Sequence, residues 1–293
     1  MSLLDGKSFV FDDGDVPGEC AQDTERNIQF SQAIKEALKV SKGKVVLDVG
    51  AGVGFLGFLA LKAGAEKTVL VEGNQSLINW AHHNVELNGF EDQTRVICAD
   101  ASQFEWPSDI AEYPNIVTAE LLTVWCVSEH QVQVLNNLHQ RGIVNKETIF
   151  IPQAQENYIS FAHVNFHVFD DIELMMPYHY WNWYPESCPL RIDELSARAQ
   201  VGSISFDKIN EEEFEATVLV DIVNDGVVNA LYLTSITRLF GDITVGDTMA
   251  LNGPITFPVK EAITVKKGEQ YLFHVRYFFG AGYENFDYKI TKK

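Results

Sequence analysis

The stretch that decides the fold is Val45 to Gly57, which reads VVLDVGAGVGFLG. A short apolar run before a glycine cluster is typical of a buried parallel strand, and it predicts that Phe55 to Lys62 is a helix. Such a turn lets a ligand approach the backbone and directs amide N–H groups at a negative group. The glycines of the cluster are Gly50, Gly52, Gly54 and Gly57.

Two kinds of ligand fit this turn. Gly52-x-Gly54-x-x-Gly57 matches a dinucleotide fingerprint, and Glu72 lies about 20 residues further on, where an acid would bind the ribose. Asp48 argues against a dinucleotide, because a pyrophosphate would press against its carboxylate. S-adenosylmethionine carries a cationic amino group and a sulfonium, which Asp48 would attract. The sequence therefore favours S-adenosylmethionine as the cofactor, with a dinucleotide or a purely structural turn as the alternatives.

Composition and charge limit the classes of function. The chain has 293 residues and a net charge of −19, which disfavours an extended nucleic-acid surface and suits a basic substrate or simple solubility. Four scattered cysteines without C-x-x-C predict free thiols in the cytoplasm, and no signal peptide or membrane span is expected. His163 and His167 fall in a predicted strand, about 13 Å apart, so no metal site is expected.

The first half of the chain alternates predicted helices and strands. Asp23 to Lys39 has a helical apolar repeat with Arg26 in its first turn. A cation is disfavoured there, so Arg26 should have an anionic partner, either a surface glutamate or the ligand carboxylate. Ser76 is predicted to cap a helix that ends at Asn88-Gly89.

Acidic residues fall at the predicted carboxyl ends of the strands, where open α/β sheets bind ligands. Glu72 should accept the ribose hydroxyls, and Asp100-Ala101 should lie at the adenine edge. With Asp48 and Glu120, four strand ends carry an acid, and this coincidence is stronger evidence than any one of them.

Beyond Pro152 the pattern changes to long strands with turns between them. Asn224-Asp-Gly226 is a hairpin signal, and Tyr283 to Ile290 is among the predicted strands. The predicted architecture is a Rossmann-like open sheet followed by an all-β, barrel-like domain. Its divisions are an irregular segment over 1–22, a cofactor domain over 23–152 and a β domain over 153–293.

With these motifs in hand, the chain resembles the protein arginine methyltransferases. Asp23-x-x-Arg26 looks like the family's cofactor-covering helix, Val45 to Leu56 like its glycine motif and Val71-Glu72 like its ribose acid. Phe150-Ile-Pro152 resembles the link to the family's β-barrel. The positions of its Thr-His-Trp loop carry Ala250-Leu251-Asn252, and Pro177 to Gln200 stands where a dimerisation arm is expected.

The resemblance also implies a catalytic pair, since Glu120 and Glu129 match the spacing of the family's double-glutamate loop. Two carboxylates could grip a guanidinium and leave one nitrogen nucleophilic. The opposing interpretation is a strand-end acid and a helix N-terminal charge.

The function that follows is an S-adenosylmethionine-dependent N-methyltransferase acting on a cationic nitrogen, arginine above all. The acceptor would be a protein or a small molecule, and a homodimer is compatible with the resemblance. The alternatives are another small-molecule or RNA acceptor, or a non-catalytic cofactor-binding homologue.

Overall fold

The structure is a computed structural model, and it describes residues 15–169, 172–179 and 191–293. Its first half alternates helices and strands. These elements are α1 (Asp15–Gln22), α2 (Thr24–Val40), β1 (Val45–Val49), α3 (Phe55–Lys62), β2 (Lys67–Glu72), α4 (Gln75–Asn88), β3 (Thr94–Cys98), β4 (Ile116–Ala119), α5 (Gln131–Gln140) and β5 (Ile149–Ile151).

The strands of this half form a parallel sheet in the order β3-β2-β1-β4-β5. Every residue of β1 and β4 is buried, as expected for central parallel strands that are covered on both faces. Because the strands are parallel, their carboxyl ends meet at one edge of the sheet. The predicted Rossmann-like sheet is therefore present, and its order places the glycine loop beside the ends of β2 and β4.

Helix α2 packs against this sheet through its predicted apolar face. Asp23 is its N-cap, and the Asp23 carboxylate accepts the Arg26 amide at 3.1 Å. Phe30 and Ile34 are fully buried, and burying each stabilises the fold by about 1.5–3 kcal/mol.

Two predictions about helix ends were wrong. Asp15–Gln22 is a helix where the sequence predicts irregular chain, and residues 1–14 lie outside the described part. Helix α4 is capped by Asn74, whose side chain accepts the Ser76 amide at 2.8 Å, so Ser76 lies inside the helix. Both asparagine and serine are good caps, and the backbone conformation selects the earlier one.

The second half consists of antiparallel strands, as predicted. Its strands are β6 (Ala154–Val164), β7 (His167–Phe169), β8 (Ile172–Glu173), β9 (Tyr178–His179), β10 (Ile192–Glu194), β11 (Ala199–Ser205), β12 (Glu213–Asp221), β13 (Gly226–Phe240), β14 (Ile243–Val245), β15 (Ile255–Val265), β16 (Gln270–Phe278) and β17 (Asp287–Lys292). One sheet runs β10-β6-β13-β15-β9, with β11 on β6 and β14 on β13, and a second runs β12-β16-β17. Together they form a β-barrel-like domain.

The predicted hairpin at Asn224 to Gly226 is wrong. Strand β12 pairs with β16, whereas β13 pairs with β6 and β15, so this turn joins two different sheets. The amides of Val223 and Asn224 donate to the Leu195 carbonyl, at 2.9 and 3.1 Å, and the Asp225 carboxylate accepts the Lys267 amide. Because these residues bond to Leu195 and Lys267, the chain leaves the β12 sheet at this turn and does not form a hairpin.

The predicted strand over Tyr283 to Ile290 begins too early. Tyr283–Asn285 is a 3-10 turn, and β17 starts at Asp287. Each stretch contains one aromatic residue, Tyr283 in the turn and Tyr288 in β17, and the Tyr283 ring packs on Phe257 with 5.8 Å between ring centroids. Aromatic content alone therefore does not separate the turn from the strand.

Three cysteines are described, Cys20, Cys98 and Cys126, and all three are free thiols, as predicted. Cys188 and residues 180–190 of the expected dimerisation arm lie outside the described residues. No helix within the described ranges is both long enough and apolar enough to cross a membrane.

Candidate active site

The glycine loop has a backbone that only glycine adopts readily. Gly50, Gly52 and Gly54 have φ angles of 67°, 55° and 93°. A side chain at Gly50 would collide with Leu121, because its Cβ would lie 2.4 Å from a Leu121 methyl carbon. The atoms nearest to a Cβ at Gly52 would be those of Pro17, 3.9 Å away. Packing against Leu121 therefore excludes a side chain at Gly50, whereas space remains beside the Cα of Gly52.

Glu72 lies beside this open glycine at the carboxyl end of β2. Its Oε2 accepts the Gly52 amide and its Oε1 accepts the Asn74 amide, both at 2.9 Å. Each oxygen of a carboxylate has about two acceptor positions, so both can accept a further hydrogen bond. This geometry fits a diol such as a ribose.

Asp48 lies behind the loop. It pairs with Leu70 and Thr118 inside β1, which continues to Val49, so it is not at the strand end where the sequence places it. Its carboxylate accepts the Gly57 amide at 2.9 Å and bonds the Thr118 hydroxyl at 2.8 Å. Burial raises the pKa of Asp48 to about 7, although these two hydrogen bonds oppose the rise. Asp48 therefore holds the first turn of α3 against the sheet.

Asp100 and Ala101 follow β3 on the other side of Glu72. The amide of the preceding residue, Ala99, donates to the Glu72 carbonyl at 2.9 Å. The Asp100 carboxylate accepts the Ser102 amide and hydroxyl at 2.9 and 2.7 Å, which fixes its rotamer. The structure thus brings this pair to the same edge as the glycine loop.

Arg26 is paired with Glu120, a partner that neither alternative from the sequence named. The guanidinium is 4% exposed, and its Nε and Nη2 both donate to Glu120 Oε2, the first at 3.1 Å. Nη1 donates to Asn27 at 2.8 Å, and the guanidinium carbon lies 4.9 Å from the centroid of the Phe30 ring. Helix α2 is therefore tied to the carboxyl end of β4.

Asp23 ties the same helix to the β domain. Its second carboxylate oxygen accepts the Thr248 hydroxyl at 2.5 Å and the Ala250 amide at 2.8 Å, and both Asp23 and Thr248 are buried. The loop that carries Ala250 is fixed in turn by Asn252, whose amide donates to the Gly246 carbonyl at 3.0 Å. The segment that stands for the Thr-His-Trp loop is thus a structural contact with α2.

Glu120 and Glu129 lie at the two ends of one loop. Trp125, in the middle of this loop, is bonded to the β domain. Trp125 is fully buried; its amide donates to Ser235 at 3.1 Å, and its carbonyl accepts the Tyr277 hydroxyl at 2.8 Å. Its indole N–H reaches two carbonyls of β6 and β13. Trp125 has a φ of 61°, a strain of about 1–3 kcal/mol that these contacts offset.

Gln131 closes the base of this loop. It is fully buried; its Nε2 donates to the Ala119 carbonyl at 2.8 Å, and its Oε1 accepts the Leu121 amide at 2.9 Å. These two backbone groups flank Glu120, so one side chain of α5 sets the direction in which Glu120 leaves β4.

The electrostatics of the loop couple its two glutamates. Burial of its carboxyl raises the pKa of Glu129 to about 8, and the negative charge of Glu120 adds to the rise. Burial also raises the pKa of Cys20 on α1 to about 12, with further contributions from Glu120 and Glu129. Glu120, Glu129 and Cys20 therefore lie close enough to interact electrostatically, with Arg26 as the buried cation beside them.

Sequence reasoning missed the residues that support this site, chiefly Gln131, Trp125 and Thr118. None of them belongs to a motif, and each acts through hydrogen bonds to elements that are distant in the sequence or adjoin the site. A glutamine at the start of an apolar helical face is the one available signal, because a buried amide needs polar partners.

Fold and site together define the class, a class I S-adenosylmethionine-dependent methyltransferase with an appended β-barrel-like domain. The family model described as ribosomal protein L11 methyltransferase (PrmA) matches residues 25–171, half of the chain. The chain belongs to this family of methyltransferases, and its cofactor is S-adenosylmethionine.

Individual relatives add to this assignment. An uncharacterised protein of Methanocaldococcus jannaschii is 27% identical over 241 residues, 82% of this chain and 84% of that protein. Protein arginine N-methyltransferase 7 of Drosophila willistoni is 31% identical over 149 residues, 50% of this chain and 22% of that protein, so the match spans about a fifth of the longer relative.

A solved structure shares the fold over nearly the whole chain. It is a chain of the Trypanosoma brucei PRMT1 enzyme–prozyme heterotetrameric complex with AdoHcy. The TM-score is 0.74 at 16% identity, and the match covers 96% of this chain and 98% of that one. The predicted combination of a Rossmann-like sheet and a β-barrel-like domain is therefore confirmed.

Proposed function

We propose that the protein transfers a methyl group to a cationic nitrogen, with the guanidinium of arginine as the acceptor and Glu120 and Glu129 as the residues that grip it. The supporting observation is the coupling of the two glutamates: they flank one anchored loop, and the charge of Glu120 raises the pKa of Glu129. Two carboxylates at close range repel each other, and a cation bound between them removes that cost.

The chemistry needs such a pair. Bound S-adenosylmethionine would supply the methyl group: an N–CH3 bond would form as the S–CH3 bond breaks, and the electron pair of the broken bond would go to sulfur. The attacking nitrogen would lose one proton to a carboxylate or to water. Carboxylates on one side of a guanidinium draw its positive charge away from the attacking nitrogen. A pKa of about 8 lets Glu129 exchange a proton near neutral pH, and acceptor binding should lower that pKa.

The cofactor would be held by the residues around the open glycine. Glu72 has acceptor positions for the ribose hydroxyls, and space remains beside the Cα of Gly52. Arg26 would bind the cofactor carboxylate from its place beside Glu120. The remaining members of the proposed set are Asp48, Gly50, Gly54, Asp100 and Ala101.

A screen of acceptors with labelled cofactor tests the proposal. The acceptors are arginine-rich and lysine-rich peptides, free arginine, small amines and RNA, each followed by acid hydrolysis and amino-acid analysis. We expect label on arginine. Label only on lysine, on a neutral small molecule or on RNA would refute the guanidinium assignment, and native protein that binds the cofactor but labels nothing would favour a non-catalytic homologue.

Family membership favours a second candidate. The description of the matching family names a ribosomal protein as the substrate, so ribosomal proteins belong in the same screen as protein acceptors. Label on such a protein at a residue other than arginine would favour this candidate over arginine.

The assembly state is a separate proposal. The Trypanosoma brucei neighbour is part of a heterotetramer, and a homodimer is the state proposed for this chain. Light scattering on the purified protein tests it, since a monomer mass at micromolar concentration would contradict a stable dimer.

A further inference from the structure

A groove of about 450 Å³ runs along α5 where this helix meets the β domain. It lies outside the glycine loop and the residues assigned to the cofactor. The residues that line it include His130, Gln133, Asn137, Gln140, Glu212 and Phe278.

One end of the groove is lined by the residue that follows Glu129 in the chain. His130 directly follows Glu129, and Gln133, Asn137 and Gln140 continue along the same face of α5 at helical spacing. From His130 to Gln140 the helix rises about 15 Å. An acceptor held at Glu129 therefore has a channel into which its flanking chain can extend.

Two amide oxygens at this groove lack partners. Among the described residues, neither Gln133 Oε1 nor Asn137 Oδ1 accepts a hydrogen bond, although both atoms are buried. The other end of the Gln133 amide donates to the Phe279 carbonyl, which fixes which end is the acceptor. Buried polar groups in folded proteins are nearly always paired, so two such acceptors beside one groove indicate a donor that binds there. A small rotation about the terminal amide torsion, which is a soft one, would expose either oxygen to that donor.

The charge of the groove selects the kind of donor. Glu212 contributes a carboxylate, and no lysine or arginine of the described chain is among the lining residues. A nucleic acid would bring phosphates to this acidic wall and is disfavoured. A polypeptide supplies main-chain N–H donors at regular spacing and can supply basic side chains for Glu212.

We propose that this groove binds the main chain of a polypeptide acceptor, over about five extended residues beside the methylated one. The proposal rests on the proposed function and deepens it, because it makes the acceptor a basic segment of protein rather than a free small molecule. The exposed ring of Phe278 forms an apolar wall for the aliphatic parts of its side chains.

Binding tests the groove without any methyl transfer. The probes are two fluorescein-labelled peptides with a central arginine, one flanked on each side by five residues of alanine, serine and lysine, the other by a single alanine. Anisotropy is measured with S-adenosylhomocysteine present, on the native chain and on Asn137→Leu and Gln133→Met. Gln32→Met is the matched control, because Gln32 lines a groove of similar size on α2.

Each groove variant should weaken binding of the long peptide by a factor of about 2–12, the loss of one neutral hydrogen bond, and leave the short peptide unchanged. Asn137→Leu removes an unpartnered buried atom, so its thermal midpoint should not fall, which separates lost binding from misfolding. Native protein that binds both peptides equally, or groove variants that bind the long peptide as the native chain does, would overturn the proposal. The proposal would also be overturned if a single-stranded oligonucleotide displaced the long peptide from the native chain and the same variants weakened binding of that oligonucleotide.

The groove and the proposed function fail in different ways. If the long peptide binds in a variant-sensitive way and no arginine is ever methylated, the groove stands and the reaction is wrong. If short and long peptides are methylated with equal kcat/KM in native and variant proteins, the reaction stands and the groove is wrong.

Discussion

Arg26 and Glu120 form a buried ion pair in which two N–H groups of one guanidinium reach a single carboxylate oxygen. The pair joins α2 to the carboxyl end of β4. It also places Arg26, which is proposed to bind the cofactor carboxylate, against Glu120, which is proposed to bind the acceptor. A change at the cofactor carboxylate can therefore be felt at Glu120 through one side chain.

Removal of Arg26 tests the strength of this pair. Arg26→Gln leaves the Glu120 carboxylate buried without its cation, which should cost about 3–5 kcal/mol of unfolding free energy in urea titrations. Lys42→Gln is the matched control, because Lys42 pairs with Glu147 while both side chains are exposed, and its loss should cost less than about 1 kcal/mol. Equal effects of the two variants would show that the Arg26 pair is not a buried one in solution.

The sequence predicts those features of the fold that depend on short-range pattern. The succession of apolar strands, the glycine loop and the helix over Phe55–Lys62 follow from periodicity and turn chemistry. The position of Glu72 at the end of β2 follows from its distance behind the glycine loop. The sequence also predicts an anionic partner for Arg26, because a cation in a first helical turn is disfavoured, and the Glu120 pair confirms it.

The rest depends on contacts between segments far apart in the chain. Nothing local in Arg26 identifies Glu120, 94 residues away, and nothing in Asn224 to Gly226 shows that the next strand joins another sheet. Asp48 was placed at a strand end because a glycine follows soon after it, but pairing with β2 and β4 extends β1 by one residue. Contacts between distant segments determine the partner of Arg26, the course of the turn and the end of β1.

The raised pKa of Asp48 predicts a pH-dependent stability. Because the folded pKa of about 7 lies above the ordinary value of 3.8, the folded state keeps its proton longer than the unfolded chain. The contribution of Asp48 is therefore fully present below about pH 4 and is lost as the pH rises through 7, by up to about 4 kcal/mol. Asp48→Asn keeps the shape without titrating, so its stability relative to the native chain should rise by that order between pH 4 and pH 8.

Urea unfolding at several pH values measures this difference, since other titrating groups cancel between native and variant. Asp92→Asn, on the surface, is the control. A constant difference between native and Asp48→Asn across this range would show that the carboxyl is ionised in the folded protein throughout.

Gln131 should matter for both stability and rate. Gln131→Leu leaves the Ala119 carbonyl and the Leu121 amide without their partner, at about 1–3 kcal/mol each. Because these groups flank Glu120, kcat on the true acceptor should also fall, while cofactor affinity should change little. Gln75→Leu, at an exposed position of α4, is the control, and a Gln131 variant with native stability and native kcat would contradict the assigned role.

Glu72 tests the cofactor site. Glu72→Ala should lose two hydrogen bonds from ribose hydroxyls to a charged acceptor, each worth about 1.5–3 kcal/mol, so calorimetry should show at least a hundredfold weaker binding of S-adenosylmethionine. Glu66→Ala, at an exposed position before β2, should bind as the native protein does. Unchanged affinity in Glu72→Ala would remove Glu72 from the site.

The most direct test of the paired glutamates is a double-mutant cycle on kcat/KM with an arginine peptide and labelled cofactor. Glu120→Gln and Glu129→Gln should each cost about 2–4 kcal/mol of transition-state stabilisation, or about 30- to 1000-fold in rate. Their combination should be far less than additive, because both act on one guanidinium. Glu129→Gln is the cleaner single variant, since Glu120 also holds Arg26, and cofactor affinity measured in parallel separates the two roles. Native rates from both single variants on the true acceptor would contradict the mechanism.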